Sequence, residues 1–301
     1  MRVLITGGNG FIGRHLAESL LKSGKEVAIY GKNDPANIEN TLLSLFGGDI
    51  TDKETLLKSV LKYNPTEIVH LAALTGISRC SIMPQQAFNV NVYGTFNVVM
   101  AAMKTNSRLI FASSREVYGE TVGEATIEDT PLLPNNVYGL TKFFGEKIVT
   151  WSESKCELDN TILRFTNVYG PRGDNYGVQQ IIKKALRGEK IQVLGGNQII
   201  NPVYVDDVVR AISMALENKL AKKEIFNVGS HDNVRLSDLI HKIIENVGGE
   251  IETQNMPYRE TETMLFRPDL DKINRILGWT PQVDLDKGLL RTIEWYRAPP
   301  R

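Results

Sequence analysis

Residues 1–24, MRVLITGGNGFIGRHLAESLLKSG, decide how the rest of the chain is read. Val3, Leu4 and Ile5 form a short apolar run of the kind a buried strand requires. The chain then passes Gly7, Gly8, Gly10 and Gly13, while Ile12, Leu16 and Leu20 recur at fourfold spacing and Gly24 supplies a helix stop. Strand, glycine turn and amphipathic helix in this order are the setting that a Gly8-x-Gly10-x-x-Gly13 dinucleotide fingerprint needs. Glycine is wanted because the backbone must bend tightly, approach a pyrophosphate closely and let the helix pack on the strand. The phosphates then sit on amides at the helix N-terminus. Gly7, Gly10, Phe11, Ile12 and Gly13 are therefore expected at a cofactor.

Downstream, apolar runs at Val27 to Tyr30, Ile68 to Ala72, Leu109 to Ala112 and Ile162 to Phe165 alternate with amphipathic stretches of helical length. That alternation predicts a Rossmann-type, doubly wound α/β fold, a parallel sheet with helices on both faces. After Phe165 glycine and proline become more frequent and the runs shorten, as at Ile191 to Leu194 and Ile225 to Val228, which predicts a smaller C-terminal α/β lobe for substrate. The expected division is a dinucleotide-binding domain over 1–165, to which 203–228 returns, and a substrate-binding lobe from 166–202 and 229–301. Gly119 to Asn136 is the longest irregular connection, and such loops are often functional.

Composition narrows the function classes. With 301 residues the chain can bury a sizeable core. Thirty-five basic residues balance thirty-five acidic ones, so no overall field draws it to nucleic acid or an anionic membrane. Neither a leader-like N-terminus nor an apolar run long enough to span a bilayer is present in the sequence, and a cytoplasmic protein is expected. Cys80 and Cys156 are too few for a disulfide framework or a structural zinc site, and His15, His231 and His241 have no metal-ligand partners. His70, at a strand end, reads as packing, and Asp206 or Asp207 as a helix N-cap.

The end of the second strand bears on the cofactor. An acidic residue about 20 positions beyond the glycine turn ordinarily binds the adenosine ribose. Here the chain reads Tyr30, Gly31, Lys32. Without a carboxylate to repel it, a 2′-phosphate is tolerated, and Lys32 with Arg14 supplies positive charge, which favours NADP over NAD. Asp34 reaching back is the alternative.

The chemistry is carried by Tyr138 and Lys142 in the string YGLTK, with Ser113 and Ser114 at the end of the Leu109 to Ala112 run. Four residues on a helix place two side chains on one face. A tyrosine with a pKa of about 10 is a poor base at neutral pH, so a neighbouring ammonium is needed to favour phenolate. A serine hydroxyl at the strand end can hold the same substrate oxygen for proton transfer.

TGGNGFIG at 6–13, GDITD at 48–52, HLAA at 70–73, SSREVYG at 113–119, YGLTK at 138–142 and RFTNVYGPR at 164–172 together resemble the extended short-chain dehydrogenase/reductases, and within them the nucleotide-sugar epimerase and dehydratase group. RPDLDKINRILGWTP at 267–281 is similar to that group's C-terminal signature. The resemblance implies an NAD(P)-dependent enzyme on a nucleotide sugar, with Ser114, Tyr138 and Lys142 as the catalytic trio. It also implies that Asp49 and Ile50 flank the adenine, that Leu71, Ala72 and Ala73 line the cofactor channel, and that Asn91 steadies the sheet near the site. Asn167 and Arg267 match residues that contact the substrate diphosphate, and a homodimer through helices near 91–104 and 138–154 is implied.

The implied reaction begins when Tyr138 removes a proton from a sugar hydroxyl at C4 while the adjacent C–H delivers hydride to the cofactor. An epimerase turns the transient 4-keto sugar over and takes hydride back on the other face. A 4,6-dehydratase, decarboxylase or 4-ketoreductase of the same group is the alternative, and an inactive cofactor-binding regulatory protein a remoter one. Family dehydratases place an acid-base pair after the serine. Glu116 matches the base, whereas Arg115 stays protonated and cannot serve as the acid; it suits binding a carboxylate or phosphate, as in a uronic acid sugar. Simple epimerisation, of a UDP-hexose or UDP-uronic acid, ranks first. Ile200 stands where the family often has a phosphate-binding arginine, which leaves Arg172, Lys183 or Arg267 for the diphosphate, or an unconventional substrate.

Overall fold

The computed structural model describes residues 1–32, 40–121, 125–173, 177–258 and 263–297. Its centre is a seven-stranded, wholly parallel sheet. The first half contributes β1 (Arg2–Thr6), β2 (Glu26–Gly31), β3 (Leu43–Gly47) and β4 (Glu67–His70), joined by α1 (Phe11–Lys22) and α2 (Lys53–Tyr63). A nearly continuous helical run follows: α3 (Ile77–Ile82), α4 (Pro84–Phe88), a π-helical turn over Asn89–Tyr93, and α5 (Gly94–Thr105). Next come β5 (Arg108–Ser114), a 3₁₀ turn over Arg115–Val117, α6 (Val137–Cys156) and β6 (Asn160–Phe165).

Beyond β6 the chain forms β7 (Asn167–Tyr169), α7 (Gly177–Leu186), β8 (Ile191–Leu194), β9 (Ile199–Ile200), β10 (Pro202–Tyr204) and α8 (Val205–Glu217). β11 (Glu224–Val228) then pairs with β6 as the last strand of the central sheet. β12 (Val234–Arg235), α9 (Leu236–Val247), β13 (Thr253–Met256), α10 (Asp271–Leu277) and α11 (Leu285–Arg297) complete the described chain. Three two-stranded sheets, β7 with β10, β9 with β12 and β8 with β13, lie outside the central one.

Strand order is β11-β6-β5-β4-β1-β2-β3, the doubly wound Rossmann arrangement expected from the alternating pattern. The order reverses between β1 and β4, so the crevice beyond their carboxyl ends is the natural ligand site. Apolar residues on alternate sides of the strands feed two separate cores. Val3, Ile5, Val27, Ile29, Val69 and Ile110 pack with α1 and α8, while Leu4, Ala28, Ile68, Leu109 and Phe111 pack with α2, α5 and α6.

Two local departures from the sequence reading have clear causes. β3 carries no strand signal in the sequence: it is a short edge strand with half-exposed sides and no run of buried residues. β4 stops at His70 rather than Ala72, because the Leu71 and Ala72 amides turn back onto the Thr6 carbonyl (3.1 Å) and hydroxyl (3.4 Å). The chain there leaves the ladder to lie across the glycine turn.

Candidate active site

The glycine turn is built by close backbone approach. Gly7 has φ +71°, and a Cβ on it would lie 2.7 Å from the Ala72 nitrogen, so neither its conformation nor its neighbour admits a side chain. A Cβ on Gly13 would collide with the Gly7 carbonyl, which is how α1 comes so near to β1. Gly10 is the N-cap residue of α1, and the helix opens with amides that have no intrahelical partner. Thr6, at the end of β1, hydrogen-bonds His70 Nδ1 at 2.7 Å, and His70 Nε2 meets the Thr95 hydroxyl at 3.0 Å. Complete burial pushes the His70 pKa down to about 3, so it is a neutral strut rather than an acid or base.

Asn9, inside the glycine turn, is a residue that the sequence reading does not single out. Its Oδ1 is buried with no hydrogen-bond partner, and its amide sits 3.2 Å from where a Gly31 Cβ would be. An orphaned acceptor beside a cradle closed to any side chain fits a dinucleotide, whose hydroxyls can donate. Nothing but its place in TGGNGFIG points to it.

Lys32 does not stand as an unopposed charge. Its Nζ lies 2.6 Å from the Asp49 carboxylate, just beyond β3. Burial raises the Asp49 pKa, but hydrogen bonds from Lys32 and from the Thr51 amide and side chain outweigh it and hold the carboxyl below the usual range. β3, which delivers this carboxylate to Lys32, is not legible in the sequence, so the lysine there reads as an unopposed charge favouring NADP. Asp34 lies outside the described residues. Ile50 turns its side chain into the core against Gly94, and Asn97 donates to its carbonyl at 3.0 Å. Asn91, in the π-helical turn, is wholly engaged within the protein: Leu74 donates to its Oδ1 (2.7 Å), and its amide donates to the Leu74 carbonyl (2.9 Å) and the Thr141 hydroxyl (2.9 Å). It clamps the segment after β4 to α6, a positioning role.

Tyr138 and Lys142 lie one turn apart on α6, whose N-cap is Asn136, with its Oδ1 accepting from the Gly139 amide at 2.8 Å. Tyr138 is half-buried against Leu74, Cys80 and Ala87. Lys142 is buried, and its ammonium donates to the Ala112 carbonyl of β5 at 2.8 Å, 5.1 Å from the Phe111 ring centre. Burial lowers its pKa to about 8, against support from Cys80 and Glu146. Ser113 and Ser114, alike in sequence, differ in partner. Ser113 donates to the buried Glu146 carboxylate at 2.5 Å, whereas Ser114 Oγ accepts from the Glu116 amide at 3.3 Å and keeps its proton for another acceptor.

Arg115 and Glu116 form a buried ion pair, with Arg115 Nη2 2.9 Å from Glu116 Oε1 and their side chains 8% and 7% exposed. Asn136 donates to the other carboxylate oxygen at 2.9 Å, and the Arg115 guanidinium lies 5.5 Å from the Phe266 ring centre. Asn136, missed in sequence, thus joins the start of the Tyr138 helix to the turn that follows the serine strand; an Asn directly before a helix is the available signal.

Of the candidate diphosphate ligands, Arg172 is turned onto Glu18 of α1 at 2.5 Å and Lys183 lies 5.7 Å from the Tyr296 ring centre. Arg267, beside Phe266, is exposed and meets no carboxylate among the described residues. Ile200 is a core side chain. Asn167, opening β7, leaves a buried Oδ1 without a partner. Asp207 is not an N-cap: the helix begins after Tyr204, and Asp207 faces inward to accept from the Gln282 (2.9 Å) and Val283 (3.0 Å) amides. No group of metal-binding side chains occurs among the described residues, and none of their helices is long and apolar enough to cross a membrane.

The sequence profile of the NAD dependent epimerase/dehydratase family matches residues 3–229. The chain belongs to this family. It is 30% identical over 326 residues to a UDP-N-acetyl-alpha-D-glucosaminuronate decarboxylase of Bacillus cytotoxicus, covering 98% of both chains. It is also 30% identical over 314 residues to a UDP-glucose 4-epimerase of Mycolicibacterium smegmatis, covering 99% of both. Two crystal structures agree over 99% of both chains: UDP-glucose 4-epimerase of Thermotoga maritima with UDP-glucose (31% identity, TM-score 0.93) and that of Thermus thermophilus with NAD (30%, 0.92). The chain is thus an NAD-dependent extended short-chain dehydrogenase/reductase, an enzyme of nucleotide-sugar chemistry.

Proposed function

We propose that this enzyme is a nucleotide-sugar 4-epimerase acting on a UDP-hexose or UDP-uronic acid. The observation that carries this reading is the Arg115–Glu116 pair. Elimination of water needs an acid and a base next to the serine, and here the base is held in a buried ion pair by a residue that cannot give up its proton. Ser114 in the strand before the pair, and Tyr138 and Lys142 one turn apart on α6, support the serine, tyrosine and lysine roles that reversible oxidation needs.

The bound dinucleotide supplies a reversible hydride acceptor. Tyr138 takes the proton of the C4 hydroxyl, the Lys142 ammonium favours the phenolate, and Ser114 donates to the same oxygen. The turn of Gly7 to Gly13 receives the pyrophosphate, and Asn9 Oδ1 accepts from a hydroxyl. Asn167 and Arg267 hold the substrate diphosphate, within a lobe built from 166–202 and 229–301. The Lys32–Asp49 pair supports NAD over NADP, since Asp49 repels a 2′-phosphate that Lys32 alone would attract. Exposed Phe96 of α5 and Phe144 and Trp151 of α6, gathered with Ile148 of α6 and Val92 of the π-helical turn, support a homodimer through those helices.

The test is incubation with UDP-, dTDP-, GDP- and CDP-sugars, uronic acids included, with products read by mass and NMR. An isomer of unchanged mass without net cofactor consumption supports the proposal; loss of water or carbon dioxide refutes it.

A further inference from the structure

Behind the proposed catalytic residues lies a buried charge pair that the chemistry above does not use. Glu146 sits one turn beyond Lys142 on α6. Arg164 of β6 grips both of its carboxylate oxygens, Nε to Oε1 at 2.9 Å and Nη2 to Oε2 at 2.8 Å, and Ser113 of β5 donates to Oε1. Arg164 Nη1 donates to the Tyr118 hydroxyl and the Glu128 carbonyl, each at 2.8 Å, and the Tyr118 hydroxyl donates in turn to Asn227 Oδ1 of β11 at 2.7 Å. Both charged side chains are 3% exposed.

A pair this deep is often no more stabilising than apolar residues of the same volume, so stability alone does not explain it. Its placement does. A bidentate arginine-carboxylate contact fixes orientation as well as distance, and this one fixes the carboxylate, one helical turn beyond Lys142, to which Ser113, the residue next to Ser114 and the register partner of Arg164, donates. We propose that Glu146 and Arg164 are positioning residues for the reaction: they hold the end of β5 in register with α6, so that Ser114, Tyr138 and Lys142 converge, and they balance charge beside the Lys142 ammonium. This rests on the proposed function.

The titratable groups facing Lys142 are His70 from β4, Cys80 from α3 and, on its own helix, Tyr138 and Glu146. His70 is neutral, and burial pushes the Cys80 thiol up to about 11, so it too is uncharged at neutral pH. Arg115 and Glu116, in the turn packed on the start of α6, offset one another. At neutral pH Glu146 is thus the charge that supports the ammonium, and Arg164, which grips both of its oxygens, is placed to temper that support. Removing each partner alone should move the lysine in opposite directions.

The experiment compares S113A, E146Q, R164M and the double variant E146Q/R164M with wild type in kcat, KM, cofactor Kd and the pH dependence of kcat. S113A and the double variant should fold and lose about tenfold to a hundredfold in kcat with KM and Kd within about twofold, the signature of misplaced catalytic groups. E146Q, which leaves the arginine uncompensated, should move the alkaline limb of kcat to lower pH, R164M should move it to higher pH, and the double variant should lie between them. If a single variant fails to fold, S113A and the double variant decide. Wild-type kcat in both overturns the inference, as does a loss that appears equally in KM and Kd. Absence of turnover by the wild type across the sugar panel instead overturns the proposed function, and this inference with it.

Discussion

The Arg115 guanidinium lies 2.9 Å from the Glu116 carboxylate, with both side chains more than nine-tenths buried at the end of β5. Removing one partner of such a pair strands the other charge in a poorly solvated place. Arg115→Met is therefore expected to lose about 3 kcal/mol of stability, measured by denaturant unfolding. If the sugar is a uronic acid, the same variant should raise KM for it by about tenfold or more while leaving a neutral hexose nearly unaffected. Equal effects on both sugars would remove Arg115 from substrate recognition.

The role proposed for Lys142 gives the activity an alkaline boundary. Its pKa is lowered by burial to about 8, so the ammonium that favours the Tyr138 phenolate is present below that pH and is lost as pH rises through it. kcat should fall accordingly. Because the folded pKa lies below the unfolded one, the unfolded chain binds the extra proton between about 8 and 10.5, and stability rises with pH across that window. Lys142→Met should abolish turnover. At pH 7 it should be as stable as wild type or up to about 2 kcal/mol more so, the relief of a buried charge exceeding the cost of an unpaired Ala112 carbonyl.

Cofactor choice is expected to turn on Asp49. Lys32 is largely exposed, so the pair adds little to stability, and Asp49→Asn should fold normally. It should also bind NADP about tenfold more tightly while NAD affinity changes little, read by fluorescence titration. Unchanged discrimination would show that the pair does not face the adenosine ribose.

Glu67 makes stability pH-dependent far from the site. It pairs in register with Arg108 at the opposite end of the sheet, and one of its carboxylate oxygens is buried without a partner. Burial, only partly offset by Arg108 and Lys222, raises its pKa to about 7. A raised acid holds its proton more tightly in the folded state, so stability declines as pH rises from about 4.5 to about 7. Glu67→Gln should be neutral near pH 4 and stabilising by about 2 kcal/mol at pH 8 after allowance for partial solvent screening.

How far the sequence can be read follows from which features are local. The glycine turn, the strand and helix alternation and the Tyr138 to Lys142 spacing depend on neighbours within a few residues, and each is legible in the sequence alone. Pairings between distant segments are not. Asp49 meets Lys32 across β2 and β3, Glu146 meets Arg164 across α6 and β6, and nothing in either string announces its partner. Asn91 reads as a sheet-steadying residue by resemblance, but only the fold shows its amide divided between Leu74 and Thr141. Asp207 carries a typical capping side chain, yet the helix begins earlier and turns it inward to hold the segment after Trp279.

In the proposed reaction everything depends on Tyr138 moving the proton that allows reversible oxidation at C4. Tyr138→Phe keeps the ring and removes the hydroxyl, so the decisive measurement is its kcat on the sugar that wild type converts, beside its Kd for NAD. The expected result is a fall in kcat of about a thousandfold or more with Kd within about twofold of wild type. Retention of kcat within about tenfold would contradict it.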